Sequence, residues 1–269
     1  MAEYQYQFGF IGMGNMGYAI VKGLLNKYPA EKITFSARNR EKMEDVSARC
    51  GICFQESNRL CAEQSKYIIL AVKPQQFDKV LADIRDVITH EQIVISIAPG
   101  ITIDDLDHRI GKPCRIVRAM PNTPALVGEG MTGVCRNEKL FTGEEQETIH
   151  SFFTSFGKVV YVEEKLIDAV VCASGSSPAY VYMFIEALAD SAVKYGLPRA
   201  DAYELVAQTV LGSARMVLET GEHPGLLKDK VCSPAGTTIA GVSALEEYGF
   251  RNAVIKASDA CYAKCRGIK

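Results

Sequence analysis

Hydrophobic and polar residues follow two different patterns along the chain. Over roughly the first 160 residues, short β-branched runs alternate with amphipathic stretches of helical spacing, which is typical of a parallel α/β sheet. The predicted strands are Gln7–Ile11, Lys32–Ser36, Tyr67–Val72, Ile93–Ile97, Arg115–Ala119 and Val159–Val162. The predicted helices between them are Asn15–Lys27, Arg40–Cys50, Phe77–Ile88 and Gly143–Ser155.

The strand pattern stops after Val162, and the remainder is predicted to be helical. Its helices are interrupted at Gly175–Pro178, Gly196–Pro198, Gly221–Gly225 and Ser233–Gly236. The expected fold class is therefore α/β, with a Rossmann-like dinucleotide-binding domain over residues 1–162 and an all-α domain over residues 163–269. Two stretches of the second domain, Ala179–Ala189 and Ala202–Leu218, are apolar on several faces, which predicts a subunit interface.

Charge and composition exclude several classes of protein. The formal net charge of −2 argues against nucleic acid as a partner, and no apolar run reaches the roughly 20 residues that span a membrane. The polar start, Met1 to Gln7, does not resemble a signal peptide, so we expect a cytoplasmic protein. Its nine cysteines are then reduced, and the Cys50–Cys53 pair lacks the partners of a zinc site, so no metal is expected.

A glycine-rich turn, Gly12-x-Gly14-x-x-Gly17, joins the first predicted strand to the first predicted helix. In dinucleotide-binding folds the first glycine permits the tight turn and the second lets the pyrophosphate approach the backbone. The third allows the helix to pack closely on the strand. The free amides at the helix start then receive the phosphates, so the turn predicts a bound dinucleotide.

The end of the second strand indicates which dinucleotide is bound. It reads Ser36-Ala37-Arg38-Asn39-Arg40, with no acidic residue before Glu41, whereas NAD enzymes place an acid there for the ribose 2′-hydroxyl. Ser36 can donate a hydrogen bond to a 2′-phosphate, and the Arg38 guanidinium can bind it through two charge-assisted hydrogen bonds, so NADP is favoured. The alternative is that Arg38 and Arg40 only solvate a helix start.

Few residues suggest acid–base chemistry. The four histidines lie in polar stretches that predict surface positions, which disfavours a histidine-based alcohol dehydrogenase. In Ser233-Pro234-Ala235-Gly236-Thr237-Thr238, Ser233 has the pattern of a helix N-cap with Pro234 at the first helical position. Such a helix start would receive a small carboxylate, although the same pattern also occurs in ordinary helix starts.

Taken together, the motifs resemble those of the pyrroline-5-carboxylate reductase family over essentially the whole chain. The matching segments are Phe10–Met16, Ala71–Gln75, Met120–Pro124, Glu164–Val170, Ser174–Tyr180 and the most specific one, Leu227–Glu246. The resemblance implies proline biosynthesis, with NAD(P)H reducing the C=N bond of 1-pyrroline-5-carboxylate to L-proline. It also implies a helical dimerisation domain, with homodimers that can assemble into a decamer.

The resemblance further implies roles for individual residues. The NADP contacts carried over are Gly12, Met13, Gly14, Asn15, Met16, Ser36, Arg38, Asn58, Ala71, Val72, Lys73, Pro74 and Ala98. The substrate contacts are Ser233, Thr237 and Thr238, with Glu164 and Lys230 nearby, and Thr238 is the catalytic candidate that bonds the ring nitrogen. Ser177 and Ala235 replace glycines usual in the family, and we expect both backbones to accommodate a Cβ.

Two other functions stay open on the sequence alone. A β-hydroxyacid dehydrogenase shares the two-domain plan but needs a lysine early in the second domain, and Ser174–Ala189 contains none. A regulatory module that binds NADP without turnover is the second alternative.

Overall fold

The computed structural model describes residues 4–267, so residues 1–3 of the polar start and residues 268–269 of the second predicted domain lie outside it. Eight strands form one sheet in the order β3-β2-β1-β4-β5-β6-β7-β8, and every neighbouring pair is parallel except β6 and β7. The strands are β1 Tyr6–Ile11, β2 Ile33–Ser36, β3 Cys53–Phe54, β4 Ser65–Leu70, β5 Ile93–Ser96, β6 Arg115–Met120, β7 Gly130–Arg136 and β8 Gly157–Tyr161.

Within residues 4–267, seven α-helices accompany the sheet. They are α1 Asn15–Leu24, α2 Arg40–Cys50, α3 Asn58–Glu63, α4 Phe77–Ile84, α5 Ile103–Ile110, α6 Gly143–Thr154 and α7 Ile167–Val170. Apolar side chains are buried on both faces of the sheet, with Phe8 and Phe152 in one cluster and Ile68 and Phe77 in the other. This two-sided burial is why the central strands read as continuous apolar runs. The predicted Rossmann-like α/β arrangement is confirmed.

Two strands and two helices were not predicted from the sequence. Strand β3 has only two residues and α3 has six, so both are too short for a periodic signal. Helix α5, with eight residues, was also not predicted. Strand β7 carries two glycines and no clear alternation, and its antiparallel pairing with β6 departs from the expected parallel sheet. The loop from Met120 to Gly130 allows this reversal without a crossover helix.

The remaining helices are α8 Ser177–Lys194, α9 Arg199–Thr220, α10 Pro224–Val231, α11 Thr237–Glu247 and α12 Phe250–Cys265. Packing separates a compact unit of residues 177–261 from one formed by residues 4–176 and 262–267. A domain boundary at residue 163 stays a prediction.

The helical unit has a small core of its own. Ala189, Ala202 and Val206 are buried between α8 and α9, whereas many large apolar side chains of the same unit are exposed. They include Tyr182, Met183, Leu205, Leu218 and Tyr248, the last of which is 86% exposed. Large apolar surfaces of this kind mark interaction sites.

The predicted helix breaks are only partly correct. Those at Gly196–Pro198 and Ser233–Gly236 lie between helices, and the one near Gly221 is shortened because α10 begins at Pro224. The break at Gly175–Pro178 is wrong, because a π-helical turn over Val171–Gly175 leads almost directly into α8. Within residues 4–267, none of the helices has the length and apolar character to cross a membrane.

Candidate functional site

The three glycines of the turn after β1 meet three different steric conditions. Gly12 has φ +99°, and a Cβ on it would lie 2.6 Å from Val72 Cγ1 and 2.7 Å from the Ala71 carbonyl oxygen. A Cβ on Gly17 would lie 3.0 Å from the Gly12 oxygen, so this glycine permits close packing of α1 on the turn. Gly14 has no atom within 4 Å of its Cβ position, which leaves open space in front of the helix. The residues therefore fit the roles expected of a pyrophosphate-binding turn.

The start of α1 has free donors and no competing acid. Its N-cap is Gly14, no side chain caps the helix, and the first turn holds no Asp or Glu. The first amides of a helix have no intrahelical acceptor, so those of Asn15 and Met16 are directed at the open space before Gly14. An anionic phosphate fits this position by hydrogen bonding and by the helix dipole.

Residues after β4 and β5 border the same turn. Ala71 donates its amide to the Ile11 carbonyl at 2.9 Å, and Val72 packs against Gly12. Pro74 begins a short 3₁₀ turn, and Lys73 just before it is exposed. Met13 and Ala98 are both buried in the core, so each can offer only backbone groups. All of these predicted cofactor residues lie at the carboxyl edge of the parallel strands, where doubly wound sheets bind ligands.

The arginines after β2 differ in their partners. The Arg40 guanidinium bonds Glu44 at 2.8 Å and Glu56 at 2.6 Å and lies over the Phe54 ring. Arg38 is exposed, and within residues 4–267 its side chain has no ion pair or hydrogen bond. Arg38 is therefore the guanidinium of this segment that is available to a phosphate.

Ser36 is less available to a ligand than the sequence indicates. It is only 1% exposed, and its hydroxyl donates to Asn58 Oδ1 at 2.9 Å. Asn58 in turn donates from Nδ2 to Asp83 Oδ2 at 3.0 Å. The hydroxyl hydrogen of Ser36 already has a partner in this arrangement, and its expected donation to a 2′-phosphate stays a prediction.

Glu164 takes part in a buried ion-pair network. Its Oε1 accepts from the Ile103 amide at 2.7 Å and from Arg118 Nη1 at 3.0 Å, and the Arg118 side chain is only 5% exposed. Arg118 also lies 4.0 Å from Asp168, which Arg266 approaches at 3.7 Å from near the chain end. Arg118 was not predicted from the sequence, although a charged residue inside an apolar strand indicates a buried partner.

A buried side-chain amide joins two segments that are far apart in the sequence. Asn122, after β6, donates from Nδ2 to the Ser174 carbonyl at 3.0 Å and accepts from the Met131 amide at 2.8 Å. It thereby fixes the π-helical turn Val171–Gly175 to the loop of the Met120–Pro124 motif. Single π-helical turns of this kind are frequent at functional sites.

The predicted substrate residues of the helical unit lie around the start of α11. Ser233 was expected to be a helix N-cap, and this expectation is wrong. The helix begins at Thr237, its N-cap is Gly236, and no side chain bonds its first amides. Residues 233–236 instead form a β-turn closed by the Gly236 amide on the Ser233 carbonyl at 3.1 Å. The adjacent Lys230 pairs with Glu222 at 2.5 Å.

The backbone of this turn corrects one expectation and agrees with another. Ala235 has φ +58°, the sole positive value among non-glycine residues of the described chain, so the expectation that its backbone readily accepts a Cβ is wrong. Pro234 precedes it, and proline at the second position with positive φ at the third defines a type II turn, which favours glycine there. Ser177 lies at the start of α8 with negative φ, so its Cβ causes no such strain.

Reactive groups outside these segments are few. The four histidines, His90, His108, His150 and His223, are all exposed, as predicted. All nine cysteines are free thiols, and burial raises the pKa of Cys61 to about 12, which keeps that thiol protonated and inert. Over the described residues no group of three or more His, Cys, Asp or Glu side chains is arranged to hold a metal ion.

Comparison with known proteins identifies relatives along the full length. A family model described as pyrroline-5-carboxylate reductase dimerisation matches residues 164–268, and one described as NADP oxidoreductase, coenzyme F420-dependent, matches residues 7–100. Pyrroline-5-carboxylate reductase of Escherichia coli K12 is 49% identical, covering 95% of this chain and 96% of that protein. The solved structure of the Coxiella burnetii reductase has a TM-score of 0.90 at 36% identity, covering 98% and 99% of the two chains. The Plasmodium falciparum enzyme, solved with NADP bound, has a TM-score of 0.86 at 33% identity and covers 99% of each chain.

Proposed function

This chain belongs to the pyrroline-5-carboxylate reductase family, and we propose that it reduces the C=N bond of 1-pyrroline-5-carboxylate to L-proline with NAD(P)H, the last step of proline synthesis. The observation that carries the proposal is the open space in front of Gly14 at the uncapped start of α1, in a chain of this family. A dinucleotide phosphate fits that space and those donors.

The cofactor is held by groups at the carboxyl edge of the sheet. The amides at Gly14, Asn15 and Met16 bind the pyrophosphate, and the segment Ala71–Pro74 with the backbone of Ala98 lines the remainder. When bound, the nicotinamide supplies the hydride. The protein contributes position rather than an acid–base relay, because a cyclic iminium accepts hydride readily once it is held in place.

The start of α11 is the proposed receptor for the substrate. Its free amides and the hydroxyls of Ser233 and Thr237 bind the carboxylate, and the half-buried Thr238 hydroxyl bonds the ring nitrogen. Glu164 and Lys230 are weaker candidates for direct contact, because each already has an ion-pair partner within its own part of the chain. Glu164 contributes by holding the Ile103 amide and Arg118 in place.

Replacing Thr238 tests this assignment. We expect Thr238→Ala to lower kcat about 10- to 100-fold in a spectrophotometric NADPH-oxidation assay with pyrroline-5-carboxylate, because the nitrogen loses its hydrogen-bond partner. NADPH binding, measured by fluorescence titration, should be unchanged. Thr238→Ser is the matched control and should keep most of the activity. Unchanged turnover in Thr238→Ala would remove this residue from the mechanism.

The same assay separates two other functions. A β-hydroxyacid dehydrogenase would oxidise a 3-hydroxy acid with NADP and leave the imine untouched. A regulatory module would bind NADPH stoichiometrically without oxidising it when the imine is added. Either result would overturn the proposed reaction.

A preference for NADPH over NADH is proposed on the contrast between Arg38 and Arg40. Arg38 is free to pair with a 2′-phosphate, whereas Arg40 is occupied by Glu44 and Glu56. We expect Arg38→Ala to raise KM for NADPH about tenfold and to leave KM for NADH unchanged, since only NADPH carries the extra phosphate. Arg40→Ala is the matched control and should keep the preference; equal losses for both cofactors in Arg38→Ala would contradict it.

Assembly and compartment are proposed from the helical unit and the thiols. The exposed apolar side chains of α8 and α9, within the part of the chain that matches the dimerisation model, support a homodimer that associates further into a decamer. Light scattering should give a mass of two or ten chains, and a monomer at micromolar concentration would refute the interface.

Nine free thiols support a reducing compartment, the cytoplasm.

A further inference from the structure

Three polar side chains form a continuous chain of hydrogen bonds beside the end of β2. Ser36 Oγ lies 2.9 Å from Asn58 Oδ1, and Asn58 Nδ2 lies 3.0 Å from Asp83 Oδ2. They come from the end of β2, the first residue of α3 and the last turn of α4. Residues far apart in the sequence thus converge at the edge of the sheet where the adenosine end of a dinucleotide binds.

The chemistry of Asp83 determines the direction of both bonds. A carboxylate can only accept, so Asn58 must turn its Nδ2 toward Asp83. The opposite atom, Asn58 Oδ1, then faces Ser36 and can only accept, so the Ser36 hydroxyl has to donate. Reversing the Asn58 amide would place its oxygen against the carboxylate and break this bond.

The direction of the bonds leaves one donor available. Ser36 donates its hydrogen to Asn58 and is 1% exposed, so in this arrangement that hydrogen is not available to a phosphate. Asn58 is half-buried, and the second hydrogen on its Nδ2 has no partner within residues 4–267. Asp83 itself is exposed on α4 and bonds no other side chain in the described structure.

We propose that Asp83 is a positioning residue for the cofactor: it holds the Asn58 amide so that an N–H, and not a carbonyl oxygen, is offered to the ribose. This inference rests on the proposed function and on the contact between Asn58 and the dinucleotide that the family resemblance implies. A 2′-hydroxyl and a 2′-phosphate both have oxygens that accept, so Asp83 serves NADPH and NADH alike. Discrimination between the two cofactors is left to Arg38.

Variants at position 83 separate hydrogen bonding from charge. We expect Asp83→Ala to weaken binding of NADPH and NADH by about fivefold each, in fluorescence titration and in KM, with kcat unchanged at saturating cofactor. The affinity of Asp83→Asn for each cofactor should remain within about twofold of that of the unaltered protein, because the new amide oxygen still accepts from Asn58. Position 83 is exposed, alanine is a good helix former, and asparagine is about as favourable in a helix as aspartate, so both variants should fold.

Other outcomes overturn the inference. If Asp83→Ala and Asp83→Asn both tighten NADPH alone, Asp83 acts by repelling the phosphate; if Asp83→Ala changes nothing, it does not act on the cofactor. Ser36→Ala should leave the ratio of NADPH to NADH affinity unchanged. If this variant lost affinity for NADPH only, Ser36 would be a phosphate ligand. Failure of the proposed function is distinguishable, because the unaltered protein would then not oxidise NADPH with the imine, whereas the effect of Asp83 is measured in cofactor binding by the variants.

Discussion

The glycine-rich turn before α1 and the Ser233–Gly236 turn before α11 have similar backbone geometry in different surroundings. Each leads into a helix whose N-terminus has no side-chain cap, and each contains one residue with positive φ. In the first turn that residue is Gly12, at φ +99°, and in the second it is Ala235, at φ +58°. The position with positive φ is therefore occupied by glycine in the first turn and by alanine in the second.

The difference follows from burial. Gly12 lies against Val72 and Ala71, so a Cβ would collide with its neighbours whatever the backbone angle. Ala235 lies in an exposed turn, where its Cβ meets solvent and only the local backbone is strained. A left-handed residue with a Cβ costs about 1 kcal/mol in the open, whereas in the buried turn the cost of the collision is added.

Substitution of Gly12 should have the largest effect. We expect Gly12→Ala to lower the free energy of unfolding by about 3 kcal/mol or more, because the left-handed backbone and the contact with Val72 add together. Urea unfolding at fixed protein concentration measures this loss.

Gly14→Ala is the matched control for that experiment. It has no neighbour within 4 Å, so stability should be retained while NADPH affinity falls about tenfold as the methyl group enters the phosphate space. Equal stability losses in the two variants would contradict the different roles assigned to these glycines.

Relief of strain at Ala235 should have the smaller effect. We expect Ala235→Gly to raise the free energy of unfolding by about 0.5–1 kcal/mol, because glycine adopts positive φ without the Cβ penalty and loses only part of this gain to unfolded-state entropy. Ala240→Gly, on the exposed surface of α11, should lower stability by about 1 kcal/mol. Thermal unfolding of both variants measures the opposite signs, and destabilisation by Ala235→Gly would contradict a strained turn.

Much of the first unit could be predicted because its information is local. The strand, the glycine-rich turn and α1 are contiguous, and helix α2 agrees with its predicted bounds Arg40–Cys50. The lack of an acidic residue after β2 is likewise visible in a short segment, because residues 37–40 follow the strand without interruption. Periodicity, turn residues and nearby charges were sufficient for these parts because neighbouring residues alone produce them.

Other features depend on partners that are distant along the chain. Nothing near Ser36 indicates that its hydroxyl is directed inward by Asp83, 47 positions later, and nothing near Glu164 indicates Arg118. The antiparallel β7 and the positive φ of Ala235 also contradicted local expectation. The residue pattern therefore predicted the family and its chemistry. The direction of each hydrogen bond and the partner of each charge were decided only by the tertiary structure, because both depend on which side chains the sheet brings together.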